Sequence, residues 1–334
     1  MGRPEYSRTA GLLVAFALTT LWQGASAETP VDAAVAAEAV LDDRYPAAKV
    51  MFGSDVESYP DLVYSTLRGF RPLRLDLYRR IGSAQPKPLV MYVHGGGWQS
   101  GHTRQAGAFA NWPEVLASLA RRGYVVVSVE YRLSSEAQFP AAIHDVKNAI
   151  KWLRANASKY AIDPQQVVIW GGSAGGHLAA LAATSCGVQA IEPPDPKTLA
   201  ATQSDCVQGL VAWYGVFNID AGQVNSSALG KFLGCKPGEC ADTAALASAI
   251  THLDAKDPPT LLVHGEADKV VPVSQSREFA RALKSKGVAT ELVVIPGADH
   301  SFTGASLEET RKASLLALTK TFEFIDSLRG GKPQ

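Results

Sequence analysis

The chain has 334 residues, of which 46% are hydrophobic and 19% charged, and its 32 Lys and Arg balance its 32 Asp and Glu. This composition is typical of a globular protein with a substantial core, and it excludes a disordered or strongly basic chain. No block of like charge stands out, so we expect neither a nucleic-acid partner nor a polybasic contact with a membrane.

Residues 1–27 have the pattern of a secretory signal peptide. Arg3 and Arg8 give a charged start, residues 11–22 are apolar, and Ala25-Ser26-Ala27 is a small-residue cleavage site. The apolar run is too short for a comfortable transmembrane helix, and an uncleaved anchor is the alternative. We expect a secreted or periplasmic protein, cleaved after Ala27 and without stable membrane insertion.

One domain is expected over residues 28–334, although its alanine-rich start, residues 28–55, is left unassigned. The strand at 73–78 alternates apolar and charged residues, which is typical of a half-exposed antiparallel edge strand. The central strands are apolar throughout, which predicts a parallel sheet with helices on both faces. The predicted strands are 62–64, 73–78, 88–93, 124–129, 167–170, 210–214, 260–263 and 292–295; the predicted helices are 139–160, 178–183 and 307–328.

Residues 216–257 interrupt this alternation and are rich in Ala, Gly, Ser and Cys. We expect them to form a short lid-like insertion over the carboxyl edge of the sheet, where open α/β sheets bind their ligands.

The most informative stretch is the strand 167–170, followed by Gly171-Gly172-Ser173-Ala174-Gly175 and a run of helix-forming residues. A strand, a Gly-x-Ser-x-Gly turn and a helix form a nucleophile elbow, in which a strained turn exposes the serine hydroxyl. The alternative is a glycine-rich turn that contains a serine by chance.

A serine hydroxyl is a weak nucleophile and needs a neighbouring base. Asp268 follows the strand 260–263, and His300 follows the strand 292–295. Both leave the carboxyl ends of strands, on the side where Ser173 emerges. We expect His300 to take the serine proton and Asp268 to orient the imidazole.

Other residues of the same types remain alternatives. Asp268 could instead cap the helix that begins near Val273. The rival acids are Glu266, Asp254 and Asp257, of which Glu266 is the nearest to Asp268 in the sequence. The histidines expected to have structural roles are His144, His177 and His264.

His94-Gly95-Gly96-Gly97-Trp98 follows the strand 88–93. A tetrahedral oxyanion needs backbone N–H donors, and glycines expose them without a blocking side chain. Gly96, Gly97 and Ala174 are therefore the predicted donors, although the motif could be only a tight loop. Trp98 is a candidate for contact with an aromatic acyl group, with an ordinary core role equally open.

The four cysteines, an even number in an exported chain, predict structural disulfides. Their spacing does not suit zinc, so no metal site is expected. Lys236-Pro237-Gly238-Glu239 favours a tight turn that pairs Cys235 with Cys240. Cys186 and Cys206 flank a Pro-rich loop near one edge of the sheet and form the second predicted pair.

Together, His94 to Trp98, Gly171 to Gly176, His264 to Pro272 and Asp299 to Phe302 resemble α/β-hydrolase esterases of the hormone-sensitive-lipase type. The likeness is greatest to secreted bacterial carboxylesterases and feruloyl-esterase-like enzymes. It implies an α/β-hydrolase fold, a Ser173, Asp268 and His300 triad, a small-molecule ester substrate, an acyl-enzyme intermediate and no cofactor. Gly172 departs from the Asp or Glu of many relatives. No long N-terminal cap is evident, so short-chain or aromatic acyl groups are expected.

Two other functions remain open. A prolyl-oligopeptidase-type exopeptidase shares the triad order, but the roughly thirty residues between the predicted cleavage site and the first predicted strand cannot hold a β-propeller. An α/β-hydrolase fold used only for binding is the non-enzymatic alternative.

Overall fold

The computed structural model of the chain describes residues 2, 49–82, 85–193, 199–219, 227–236 and 239–329. The predicted signal peptide and most of the unassigned segment 28–55 lie outside these residues. Every element below belongs to the second of two compact units, Met1–Pro46 and Ala47–Gln334.

The described residues form one nine-stranded sheet, with the strand order β1-β2-β3-β5-β4-β6-β7-β8-β9. The first three strands and β5 pair in antiparallel fashion, whereas β5, β4 and β6 to β9 are parallel. The predicted mostly parallel sheet is confirmed. The strands are β1 (Val50–Phe52), β2 (Val56–Ser65), β3 (Leu73–Arg80), β4 (Lys87–Val93), β5 (Val125–Val129), β6 (Ile162–Gly172), β7 (Gly209–Trp213), β8 (Thr260–Gly265) and β9 (Thr290–Ile295).

Helices connect the parallel strands. The helix predicted over 139–160 is two helices that meet at Asn156, and the helix Trp112–Arg121 was not predicted. Its signal is a capping residue, Asn111, which accepts the Glu114 N–H at 3.2 Å, with Pro113 in the first turn. The helices are α1 (Trp112–Arg121), α2 (Ala141–Ala155), α3 (Ala157–Tyr160), α4 (Ala174–Thr184), α5 (Ser227–Leu233), α6 (Ala241–Ala247), α7 (Ser274–Ser285) and α8 (Leu307–Ser327).

The sheet separates two hydrophobic cores, because successive side chains of a strand point to opposite faces. In β4, Leu89, Met91 and Val93 pack with α2, α4 and α7, whereas Val90 and Tyr92 pack with α1 and α8. Both faces of the central strands are therefore covered, as their continuous apolar sequences predict. None of the described helices has the length and apolar character needed to cross a membrane.

β3 is antiparallel, as predicted, but the prediction that it is an edge strand is wrong. It lies between β2 and β5, and its carboxylate Asp76 is buried. Asp76 accepts hydrogen bonds from the Thr103 hydroxyl at 2.7 Å and from Arg104 Nε at 2.8 Å. A charged residue in the alternating pattern was read as exposed, whereas an arginine from a distant loop neutralises it.

The parallel strands end together, which gathers the loops that follow them. Gly172 of β6 pairs with Trp213 of β7, Trp213 pairs with Val263 of β8, and Gly265 of β8 pairs with Ile295 of β9. The loops carrying the predicted site residues therefore leave the same edge of the sheet.

The insertion at 216–257 contains α5 and α6, and its residues 220–226 and 237–238 lie outside the described ranges. Disulfides join Cys235 to Cys240, between these helices, and Cys186 to Cys206, between α4 and the segment before β7. These are the two predicted pairs. By loop-closure entropy the longer bridge stabilises the fold by about 3 kcal/mol.

Candidate active site

Ser173 lies at the turn between β6 and α4, with φ 57° and ψ −121°. A positive φ is strained for a residue with a side chain, and a nucleophile elbow holds its serine in this way. A Cβ on Gly175 would lie 2.1 Å from the Val93 carbonyl oxygen, and one on Gly171 would lie 2.2 Å from that of Gly175. The glycines around Ser173 are therefore required by the close approach of strand and helix.

Three predicted side chains form one hydrogen-bonded chain. His300 Nε2 lies 3.0 Å from Ser173 Oγ, and His300 Nδ1 lies 2.8 Å from Asp268 Oδ2. Ser173 follows β6, Asp268 follows β8 and His300 follows β9. When Nδ1 donates to the carboxylate, Nε2 is left to accept the serine proton, so this geometry can activate the hydroxyl as a nucleophile.

Asp268 is a buried carboxylate surrounded by four donors. Its Oδ1 accepts the N–H groups of Val270 and Val271, both at 2.8 Å, and its Oδ2 lies 3.2 Å from His264 Nε2 as well as near His300. Burial favours the neutral acid, but hydrogen bonds from His264 and His300 outweigh it and hold the pKa of Asp268 well below its usual range. A charged Asp268 can stabilise an imidazolium at His300.

The rival acids lie elsewhere. Glu266 is exposed, and Asp254 and Asp257 precede β8, at the opposite end of that strand from Asp268. Within the described residues, no hydrogen bond links any of the three to His300. Nor does Asp268 cap α7, whose N-cap position is Val273 and has no side-chain cap.

Residues 94–98, which we call the oxyanion loop, lie against the elbow. A Cβ on Gly95 would stand 3.4 Å from Ser173 Cβ. Among the described residues, the N–H groups of Gly96 and Gly97 donate to no protein acceptor. Ala174 is the first residue of α4, where a backbone N–H has no partner within the helix. Gly96 and Gly97 line the same cleft as Ser173, and Ala174 follows the serine directly, so these three N–H groups stay the predicted oxyanion donors.

The prediction that Trp98 contacts substrate is not supported by the structure, which makes it a core residue. Its exposed fraction is 3%, and it does not line the cleft at Ser173. The indole stacks on Phe232 with ring centroids 4.7 Å apart, and its Nε1 donates to His177 Nδ1 at 3.2 Å. Proximity to the glycines in sequence does not make Trp98 a cleft residue, because Phe232 of α5 covers the indole.

A cleft of about 520 Å³ opens at Ser173 and His300. Much of its wall comes from side chains that the sequence analysis did not single out as site residues. They are Tyr92, Ser100, Gln105, Ala106, Tyr214 and Val270. Among the described residues that line the cleft, no side chain besides His300 is acidic or basic, which suits a neutral ligand.

Tyr214 has the closest relation to the site among these residues. It follows β7 at the carboxyl edge, a position that could have identified it, and its ring centroid lies 4.8 Å from that of His300. Its phenol is hydrogen-bonded to the Ser301 side chain, and burial raises its pKa, so it is neutral. A Cβ on Gly172 would lie 3.1 Å from the Tyr214 hydroxyl, which accounts for the small residue before the nucleophile.

The described residues contain no group of three or more His, Cys, Asp or Glu arranged to hold a metal ion. The expectation of a site without a metal or an organic cofactor stays a prediction. His264 has the structural role expected of it, because its Nδ1 lies 2.7 Å from Ser276 Oγ and its Nε2 lies 2.8 Å from the Val271 carbonyl.

Comparison with known proteins gives a match to the family BD-FAE over residues 75–283, more than half of the chain. Esterase LipQ of Mycobacterium tuberculosis is 34% identical over 252 residues, which are 73% of this chain and 57% of LipQ. The chain therefore spans a little over half the length of this curated relative.

Two solved structures are similar over most of their length. A truncated carbohydrate esterase from gut microbiota matches with a TM-score of 0.70 at 27% identity. The match covers 84% of this chain and 99% of that structure. Esterase 2 of the Planctomycetes species Thermogutta terrifontis, with butyrate bound, has a TM-score of 0.67 at 28% identity, covering 82% and 95%, respectively.

The buried histidines predict a loss of stability in mild acid. Burial lowers the pKa values of His94, His144 and His177 to about 4, so the unfolded chain takes up protons between about pH 6.5 and 4 that the folded chain does not. Stability is therefore full above about pH 6.5 and falls towards pH 4, by up to about 3 kcal/mol for each of the buried His94 and His177 and by less for the partly buried His144. Burial raises the pKa of Asp257 to about 7, so the folded chain takes up a proton there that the unfolded chain does not. This uptake offsets the loss of stability from about one histidine.

Urea unfolding at pH 7, 6, 5 and 4.5 measures this loss. The variant His177→Phe cannot take up one of the protons, so its free energy of unfolding should fall less steeply with pH than that of the unchanged protein. Parallel curves for the two proteins would contradict the prediction.

Proposed function

The chain belongs to the family BD-FAE and has an α/β-hydrolase fold, and from this we propose that it is a serine hydrolase that cleaves carboxylic esters. The observation that carries the proposal is the unbroken series of hydrogen bonds from Ser173 through His300 to Asp268. The names of its relatives, LipQ and the two solved esterases, support the same reaction.

In the proposed mechanism, Ser173 Oγ attacks the acyl carbon while His300 Nε2 takes its proton. The negative charge that develops on the carbonyl oxygen is received by the N–H groups of Gly96, Gly97 and Ala174. Collapse of this intermediate breaks the bond to the alcohol oxygen, which takes the proton from His300. Water, deprotonated by His300, then attacks the acyl carbon of the acyl-enzyme. The bond to Ser173 Oγ breaks, His300 returns the proton to that oxygen, and the acid is released.

We propose short-chain or aromatic acyl groups as the preferred substrates. The cleft of about 520 Å³ and its aromatic wall, Tyr92 and Tyr214, support a compact acyl group. The butyrate bound to the Thermogutta terrifontis esterase supports a short acyl group. The carbohydrate esterase from gut microbiota supports a sugar hydroxyl as the alcohol part of the ester.

We propose also that the protein is exported and cleaved after Ala27. The two disulfides support an oxidising compartment.

For the triad, Ser173→Ala and His300→Ala should each lower kcat for p-nitrophenyl butyrate by about 10³-fold or more. The residual activity comes from the oxyanion donors. Asp268→Asn should cost somewhat less, because the serine and base remain. Glu266→Gln is the matched control, since Glu266 is exposed, and it should stay within about twofold.

Circular dichroism and the unfolding midpoint should be unchanged in Ser173→Ala. The acid assignment is wrong if Glu266→Gln costs more than Asp268→Asn, and the proposed function fails if Ser173→Ala keeps substantial activity.

For the acyl group, kcat/KM should be highest for C2 to C6 p-nitrophenyl esters or methyl ferulate and should fall towards C16, because the cleft is small. An aminoacyl p-nitroanilide in the same panel tests the exopeptidase alternative and should be hydrolysed poorly. A rate that climbs steadily from C4 to C16 would refute the size argument.

For export, peptide mapping of the protein from the extracellular or periplasmic fraction, without reductant, should give a first peptide beginning at Glu28. It should also give linked peptides for Cys186 with Cys206 and for Cys235 with Cys240. A peptide that retains Arg8, or four free thiols, would contradict the proposal.

A further inference from the structure

His177 and Trp98 lie beside the proposed machinery, and the mechanism above gives neither of them a task. His177 is fully buried in the first turn of α4, where its N–H donates to the Ser173 carbonyl at 2.9 Å. Its Nδ1 lies 3.2 Å from Trp98 Nε1, and its Nε2 lies 2.7 Å from the carbonyl oxygen of Ala247 at the end of α6. One imidazole therefore joins the nucleophile helix, the oxyanion loop and the insertion.

The two partners determine the protonation of His177. An indole N–H can only donate, and a backbone carbonyl can only accept. Nδ1 must therefore accept from Trp98, and Nε2–H must donate to Ala247, which is the neutral imidazole with its proton on Nε2. A proton on Nδ1 would face the indole N–H, so this histidine serves as a fixed connector and not as a base.

The oxyanion loop needs such a connector because its backbone is strained. Gly97 and Trp98 have φ values of 60° and 57°, and a left-handed conformation is unfavourable for a residue with a side chain such as Trp98. Trp98 is held there by its stack on Phe232, by its bond to His177, and by its carbonyl, which accepts the Ser134 N–H at 2.7 Å. If Trp98 relaxed to a negative φ, the adjoining peptides of the loop would rotate.

We propose that His177 is a positioning residue, which holds Trp98 in its left-handed conformation and thereby keeps the N–H groups of Gly96 and Gly97 directed at the oxyanion. This inference rests on the proposed function, since it assigns His177 to the transition state of ester hydrolysis. It acts through Trp98 and touches no reacting atom.

Two single variants and their double variant test the connection. His177→Phe keeps a buried aromatic ring and loses both hydrogen bonds. Trp98→Phe keeps an aromatic ring to stack on Phe232 and loses the N–H together with the five-membered part of the indole. Each should lower kcat for p-nitrophenyl butyrate by about 10- to 100-fold with KM within threefold, as a misplaced donor does. Affinity for phenylboronic acid, which forms a tetrahedral adduct on serine, should fall by a similar factor.

The double variant should be no slower than the slower single variant, because both changes act on kcat by breaking the same hydrogen bond, from Trp98 Nε1 to His177 Nδ1. His177→Asn, whose amide oxygen can take the place of Nδ1, should recover part of kcat and covers the case in which His177→Phe folds poorly. His144→Phe is the matched control, a partly buried histidine on the same face of the sheet, and it should leave kcat within twofold.

Full kcat in Trp98→Phe and His177→Asn, or losses that multiply in the double variant, would overturn the positioning role. A Ser173→Ala variant that still hydrolyses the ester would instead overturn the proposed function, so the two failures are distinguishable.

Discussion

The close approach of β4, β6 and α4 around Ser173 is the constraint on which the rest of the site depends. A Cβ on Gly175 would lie 2.1 Å from the Val93 carbonyl oxygen, and one on Gly176 would lie 2.7 Å from that of Trp213. Backbone therefore packs on backbone at this point, and no rearrangement of side chains can relieve it. The Trp213 carbonyl also accepts the Ser173 N–H at 2.9 Å, so β7 helps to hold the turn. The position of the nucleophile is set by the main chain of the sheet, which is the least adaptable part of the fold.

The loops around the nucleophile are held differently, by aromatic side chains. Seven described residues other than glycine have positive φ, and five of them lie at this edge of the sheet: Trp98, Ser173, Tyr214, Ser301 and Phe302. Such conformations cost of order 1–3 kcal/mol each and persist only where neighbouring contacts impose them. Trp98 is stacked on Phe232, and Tyr214 lies edge-on to Phe302 with centroids 4.7 Å apart. Aromatic packing thus offsets the strain, so the donors and the base are in place before a substrate arrives.

The features that could be predicted from the sequence are those that depend on local pattern and chain order. The elbow at Ser173 and the loop at His300 each follow a recognisable strand, and parallel strands bring their ends together whatever the intervening loops do. Asp76 is buried although the alternating pattern of its strand predicts exposure, and of the two roles left open for Trp98 the structure shows the core one. In both cases the surroundings of the residue depend on distant segments. Arg104 neutralises a carboxylate that looked exposed, and α5 covers an indole that looked available to substrate. Tyr214 was missed because its relation to His300 exists only after β7 and β9 are placed in one sheet.

The partners of each imidazole decide which histidine can act as the base. His177 accepts from an indole and donates to a carbonyl, so neither nitrogen is available to a serine and no carboxylate stabilises a second proton. His264 does approach Asp268, at 3.2 Å, but its other nitrogen is occupied by Ser276 and the ring is fully buried. His300 alone among these three is partly exposed and has a carboxylate at one nitrogen and a serine hydroxyl at the other. Because Asp268 accepts from both His264 and His300, the buried histidine helps to keep charged the carboxylate that the catalytic one requires, so His264 can support the base without exchanging a proton itself.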